Sequence, residues 1–333
     1  MTKNCIFFPL YIYNDWSYGY ISTLYFALES LKKVRSSDSD YDVVVYCKYP
    51  DNFNNINEIF SEASRVKYNF EKDFPFVNFV NFDFSHNDSG TGSDKYFFKW
   101  KALDHFFANH NYDDVFVIDS DVLFFNDPIS VFNSCSDKSS VYGLQEGSSQ
   151  KTKDILTENL KGGDFGNHPN AWNGGQLYLT RSVYEKVAPI YNSMQFAKKD
   201  LLQTARKFYT DDNDYRFFDI LSDQYAMTLI FMRMSINRES IPDMLCGGGY
   251  NLSVSKEPRG LIFYSNASII HYFTGRGYMF VPHQLRDTVE ACPWLSQHRT
   301  EANFKNDYST ILVNNDNINK YKYSYFSSSL LLD

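Results

Sequence analysis

Apolar residues in the first part of the chain fall into two recurring patterns, short unbroken runs and longer stretches at helical spacing. Cys5 to Tyr13 is a run interrupted only by Pro9, and it predicts a first strand. Tyr18, Ile21, Leu24, Tyr25, Leu28 and Leu31 then recur with the period of one helix face. Asp42 to Cys47 predicts a second strand, a polar Asn-rich helix or loop follows from Asp51, and Phe76 to Phe84 alternates as a third strand. Phe97, Trp100, Leu103, Phe106 and Phe107 form a helical stripe immediately before the run Val115-Phe116-Val117-Ile118. The order is β-α-β-α-β-α-β. Strands apolar at consecutive positions are covered on both faces, as in a largely parallel sheet.

Beyond residue 125 the pattern loosens. Gly143 to Asn170, rich in Gly, Ser, Lys and Asn, reads as a long functional loop. Leu177-Tyr178-Leu179 reads as a short strand after Trp172-Asn173-Gly174-Gly175, and Arg181 to Met194 as a helix. A further helix starts near Ser222, a candidate cap, with Asp223 and Gln224 in its first turn. Ser268-Ile269-Ile270-His271 is a late strand ending on an imidazole. There is no internal repeat and no linker-like boundary, so one domain is expected over 1–285, followed by a polar, Tyr- and Asn-rich appendage over 286–333.

Chemistry enters at Asp119-Ser120-Asp121, which follows the fourth run. Strand alternation points both Asp side chains one way and Ser120 the other. Two carboxylates at a strand end suit a hard divalent cation, which binds through one or two such groups plus substrate phosphates. In open α/β sheets ligands bind outside the carboxyl ends of the strands. The same string read as a turn would have each Asp capping local amides.

Composition narrows the partners. A net charge of -8 with no long Lys/Arg block excludes nucleic acid as the main partner, and a binder of anionic nucleotides then needs locally placed cations. The five cysteines are scattered without CxxC spacing, which supports neither a disulfide framework nor a zinc site and points to a reducing compartment. No apolar stretch approaches the roughly 20 residues of a membrane span. A cytoplasmic protein is expected, with peripheral membrane contact through exposed aromatics left open.

Four separated elements are similar to one family. They are Asp119-Ser120-Asp121, Trp172-Asn173-Gly174-Gly175-Gln176-Leu177, Asp223-Gln224, and His271-Tyr272-Phe273-Thr274-Gly275-Arg276. With them the chain resembles the retaining GT-A glycosyltransferases of the glycogenin and lipooligosaccharide galactosyltransferase type, over most of its length. Gly249-Tyr250-Asn251-Leu252 is similar to a further segment of that family. The resemblance implies an α/β, Rossmann-like GT-A fold, with a mixed, mostly parallel sheet flanked by helices. It also implies transfer of a hexose from a UDP-sugar to a hydroxyl acceptor, such as a glycan, with Mn2+ or Mg2+ held by Asp119, Asp121 and His271.

The resemblance carries further roles to named positions. Tyr11, Tyr13 and Asn14 lie where the nucleotide base is placed, and Lys99, Gly275 and Arg276 where the diphosphate or donor is met. Asn173, Gly174 and Gly175 border the donor sugar, Ser120 is a further donor-binding position, and Asp223 and Gln224 are the candidate catalytic pair. Two departures stand out. The Gly after His271 comes one residue late and is followed by Arg276-Gly277-Tyr278 rather than Lys-Pro-Trp, and Gln176 replaces the usual Val. An inverting enzyme would use Asp223 as general base; a retaining one would place Gln224 at the reacting face and Asp223 on sugar hydroxyls. A metal-dependent nucleotidyltransferase and a non-catalytic nucleotide-sugar or glycan-binding module are the competing classes.

Overall fold

Four parallel strands build one half of the central sheet. They are β1 (Asn4–Tyr11), β2 (Asp42–Lys48), β3 (Val77–Asn81) and β4 (Asp114–Ile118). The structure is a computed structural model that describes residues 3–12, 19–37, 39–49, 69–84, 94–145, 148–160, 171–247, 253–257, 260–265, 268–271, 309–314 and 322–325. Its seven-stranded sheet has the order β3-β2-β1-β4-β7-β6-β8, where β6 is Val141–Gln145, β7 Trp172–Thr180 and β8 Arg238–Ser240. β7 runs antiparallel to both β4 and β6, whereas β6 and β8 are parallel. The carboxyl ends of β4, β6 and β8 therefore share one edge with the start of β7.

The unbroken apolar runs follow from helices on both faces. Ile6, Phe8 and Leu10 pack with Leu24, Leu28 and Leu31 of α1 (Gly19–Val34). Cys5 and Phe7 face the other way, toward Trp100, Leu103 and Phe106 of α3 (Phe98–Asn109). Between them lies the short α2 (Phe70–Asp73). Residues from Asp51 to Tyr68, read above as an Asn-rich helix or loop, lie outside the described residues.

Three sequence readings are corrected after β4. After β5 (Val122–Phe124) and α4 (Ile129–Ser134), the stretch expected as one long loop contains the end of β6 and a ten-residue helix, α5 (Gln150–Asn159). Ser149 caps α5 by accepting from the Thr152 amide, and Thr152, Ile155, Leu156 and Asn159 are its buried side; two of these four are polar, which hid the stripe. The expected helix from Arg181 to Met194 is two helices, α6 (Arg181–Val187) and α7 (Ile190–Phe208), because Pro189 cannot continue α6 and instead precedes α7. Asp104 of α3 secures the start of α7 by accepting from the amides of Ile190 and Tyr191. Ser222 is not a cap: α8 (Asp212–Ile220) ends directly before it, and α9 (Ser222–Arg233) begins with no side-chain cap.

A second, three-stranded sheet has the order β5-β12-β9, with β9 at Cys246–Gly247 and β12 at Ile269–His271. A third has the order β10-β11-β13-β14, from Ser253–Glu257, Gly260–Ser265, Ser309–Asn314 and Lys322–Tyr325. Two of its strands come from the 286–333 segment, and β13 pairs with β11 in parallel. Among the described residues no helix is long and apolar enough to cross a membrane.

Candidate functional site

β4 ends at Ile118, so Asp119-Ser120-Asp121 forms the turn between β4 and β5. The turn is fixed from three sides. The Asp119 amide donates to the Gly175 carbonyl (2.8 Å), the Ser120 and Thr23 hydroxyls share a hydrogen bond (2.9 Å), and β5 pairs with β12. That last pairing sets His271 opposite Val122, one residue after Asp121. The imidazole Nε2 consequently lies 2.9 Å from Asp121 Oδ1, with both residues buried.

One ligand atom from each of Asp119, Asp121 and His271 lies within 4.8 Å of the others. Two carboxylates and an imidazole are a donor set for a divalent cation, and neighbouring ligands on an octahedral ion at about 2.1 Å are roughly 3 Å apart. The His271 to Asp121 separation fits that spacing, so these residues can hold a metal. Gly175 is part of the fit. A Cβ there would stand 2.4 Å from His271 Cε1 and 2.8 Å from Asn173 Oδ1, so only glycine leaves the imidazole its place.

The Trp172-Asn173-Gly174-Gly175 segment is strand, not a loop preceding one, and every residue of β7 is buried. Its pairing with β6 slips: Gly143 faces Leu177, yet Leu144 faces Asn173, so residues 174–176 bulge. Asn173 stabilises the bulge by accepting from the Gly175 amide (2.6 Å). Gln176, opposite Ile118, is fully buried, and neither of its amide atoms has a hydrogen-bond partner among the described residues.

Lys99 connects this metal-competent group to Asp223. Its ammonium lies 3.3 Å from Asp119 Oδ1 and 3.6 Å from Asp223 Oδ2, and donates to the Gly174 carbonyl at 3.1 Å. Burial pulls the Lys99 pKa down, but Asp119, Asp223 and Asp121 outweigh it and leave the value raised. Asp223 is pushed up to about 6 by burial, which the Lys99 charge only partly offsets while Asp119 adds like-charge repulsion. Gln224 follows on the same helix, its Cγ 3.5 Å from where a Gly174 side chain would begin. Thr228 fastens this turn of α9 to β7, donating to the Gln224 carbonyl and accepting from the Trp172 amide.

Tyr11 stands at the end of β1, its ring stacked on Phe98 (centroids 5.1 Å apart) and edge-on to Phe84. Tyr13, Asn14, Gly275 and Arg276 lie outside the described residues, as do Tyr250 and Asn251. The structure thus brings together Asp119, Asp121, His271, Lys99, Asn173, Gly174, Gly175, Asp223 and Gln224. Sequence reasoning missed Thr23, whose one signal is its polarity within the apolar α1 stripe, and the Lys99 bridge between two carboxylates 104 positions apart in the chain.

No protein-family model matches the sequence, and no curated protein matches it. In fold the chain is similar to galactosyltransferase LgtC, solved with donor and acceptor sugar analogues, at a TM-score of 0.50 and 12% identity over 89% of this chain and 95% of that one. It is also similar to mouse xyloside xylosyltransferase 1, at a TM-score of 0.46 and 13% identity over 74% of this chain and 88% of that one. The fold is the GT-A type expected from the sequence: a mixed, mostly parallel sheet flanked by helices.

Proposed function

We propose that this chain is a metal-dependent glycosyltransferase that moves a hexose from a UDP-sugar to a hydroxyl acceptor on a glycan, with retention of anomeric configuration. The observation that carries the proposal is the meeting of Asp119, Asp121 and His271 at the carboxyl end of β4, with Lys99 linking Asp119 to Asp223. A cation held by those three residues supplies Lewis-acid neutralisation of the departing diphosphate. The mixed oxygen and nitrogen donors favour Mn2+ over Mg2+.

The remaining roles belong to side chains. Asp223, once ionised, accepts hydrogen bonds from donor-sugar hydroxyls, and Lys99 fixes its carboxylate and favours the charged form. Gln224 is assigned to the reacting face of the sugar. The Gly174-Gly175 bulge lets a ring approach backbone without meeting a Cβ. Tyr11, Tyr13 and Asn14 are assigned to the base, Ser120 to support of the ligand turn, and Gly275 and Arg276 to the diphosphate. The catalytic domain is assigned to 1–285 and acceptor contact or packing to 286–333. A cytoplasmic location fits the buried free thiols of Cys5, Cys47, Cys135 and Cys246.

The test is a panel of nucleotide sugars with Mn2+, scored for sugar release and for protection against unfolding. At least one UDP-sugar should respond in a metal-dependent way. Asp121→Asn should abolish that response while leaving the far-UV circular dichroism unchanged. Full activity in this variant would refute the metal assignment, and silence across the panel would sink the transferase reading.

A further inference from the structure

Helix α1 carries two buried hydroxyl residues, Thr23 and Ser30, among the leucines of its inner face. Their places in the chain differ by two turns of helix, which sets them on one side of α1, about 10 Å apart. Each uses its own proton in the same way. The Thr23 hydroxyl donates to the Tyr20 carbonyl (3.0 Å) and the Ser30 hydroxyl to the Ala27 carbonyl (2.8 Å), one turn back along the helix. With the proton committed, each oxygen faces outward as an acceptor. Ser30 accepts from the Phe124 amide at 3.0 Å, and the 2.9 Å bond between Thr23 and Ser120 runs from the Ser120 hydroxyl to Thr23.

These two donors bracket part of the metal-competent group. Ser120 stands between Asp119 and Asp121, and Phe124 closes β5, so Asp121 and Val122, the residue opposite His271, lie between the two points of attachment. Four residues of extended chain reach at most about 14 Å, so acceptors about 10 Å apart suit a segment that turns once. Ala27, fully buried between the two hydroxyls, leaves room for β5 against α1. The attachments differ in what else holds the chain. At the Phe124 end β12 helps, since Ile269 faces Phe124 and the Phe125 amide donates to the Ser268 carbonyl (2.7 Å). Ser120 is buried, and among the described residues its hydroxyl bonds to Thr23.

Resting on the metal assignment above, we propose that Thr23 is a positioning residue for the cation: by holding the Ser120 hydroxyl from behind the turn, it sets the spacing at which Asp119 and Asp121 meet His271. Without the Thr23 oxygen the Ser120 proton is buried and unpaired, and the turn must rotate to satisfy it, which moves the carboxylates on either side. Ser30 secures the far end of β5 and has no such role.

The experiment titrates the full chain with Mn2+ alone by calorimetry and follows thermal unfolding of the metal-free protein. Thr23→Val, nearly the same shape without the hydroxyl, should weaken Mn2+ binding about 10-fold or more. Thr23→Ser keeps the acceptor and should bind Mn2+ within about 2-fold of wild type. Ser30→Ala leaves the Phe124 amide without its acceptor and should lower the melting temperature as Thr23→Val does, yet keep Mn2+ affinity within about 2-fold of wild type. That contrast separates positioning from stability. Ser120→Ala should itself weaken Mn2+ binding, and Thr23→Val added to it should bring no further loss, because both changes act through one bond. Wild-type affinity in Thr23→Val, an equal loss in Ser30→Ala, or additive losses in the double variant overturns the positioning role and leaves the metal assignment standing. A wild-type chain that binds no Mn2+ overturns both.

Discussion

At the scale of single residues, the site depends on a glycine and on a carboxyl group held away from its ordinary pKa. Gly175 has no room for a methyl group, because a Cβ would stand 2.4 Å from a buried imidazole carbon. Gly175→Ala should displace His271 and weaken Mn2+ binding about 10- to 100-fold, as loss of a group orienting a metal ligand does. Overpacking should also cost about 1–3 kcal/mol of stability. Calorimetric titration with Mn2+ checks this, and wild-type affinity in the variant would mean that His271 is not a ligand. Asp223 gives a pH signature. Its folded pKa of about 6 lies above the unfolded carboxylate value, so the protonated form is favoured on folding. Its stabilising contribution is full below the unfolded pKa and is lost as pH rises through about 6. The proposed role of Asp223 on sugar hydroxyls requires the ionised form, so donor turnover should rise through that same interval. In metal-free protein, the stability of wild type relative to Asp223→Asn should fall by about 2 kcal/mol between pH 4.5 and 7.5, measured by urea unfolding. A pH-independent difference would remove the basis for this assignment.

At the scale of elements, the site exists because two sheets meet at one turn. β4 delivers Asp119 to the edge of the large sheet, and β5 turns away into the small sheet, where β12 returns with His271. The first half of this was legible in the chain. Val115 to Ile118 is apolar at every position, and the two Asp residues after it mark where the strand ends. Of the small sheet, β12 was legible as the late strand over Ser268 to His271, whereas β5 and β9, three and two residues long, are too short for any period to show. The pairing of β12 with β5, which brings His271 to Asp121, left no such signal, and the ligand role of His271 was reached through a likeness of short strings. α5 was hidden because half of its buried side is Thr152 and Asn159, and β7 because two glycines inside a strand read as a turn. Lys99 shows the same limit: the chain places it between Lys95 and Lys101, and only the packing of α3 against β1 and α7 turns it inward, onto Asp119, Gly174 and Asp223.

At the scale of the whole molecule, the proposed function makes charge set the order of binding. The chain carries a net charge of -8, and the site sets Asp119, Asp121 and Asp223 against the single cation Lys99 among the described residues. Three carboxylates and one ammonium leave a local balance of two negative charges when Asp223 is ionised. At an effective dielectric constant of about 20, each like-charge pair 5 Å apart costs about 3 kcal/mol, so a nucleotide diphosphate meets a barrier here. A divalent cation bound at Asp119, Asp121 and His271 cancels that balance. UDP without a divalent ion should therefore leave the melting temperature unchanged, and Mn2+ alone should raise it. UDP added to the Mn2+-loaded protein at about 100 times its Kd should contribute about 2.7 kcal/mol more, a further rise of roughly 4 °C. Thermal unfolding in the four combinations of metal and nucleotide checks this. Equal stabilisation by UDP with and without Mn2+ would show that fixed cations of the chain, and not a bound metal, neutralise the diphosphate.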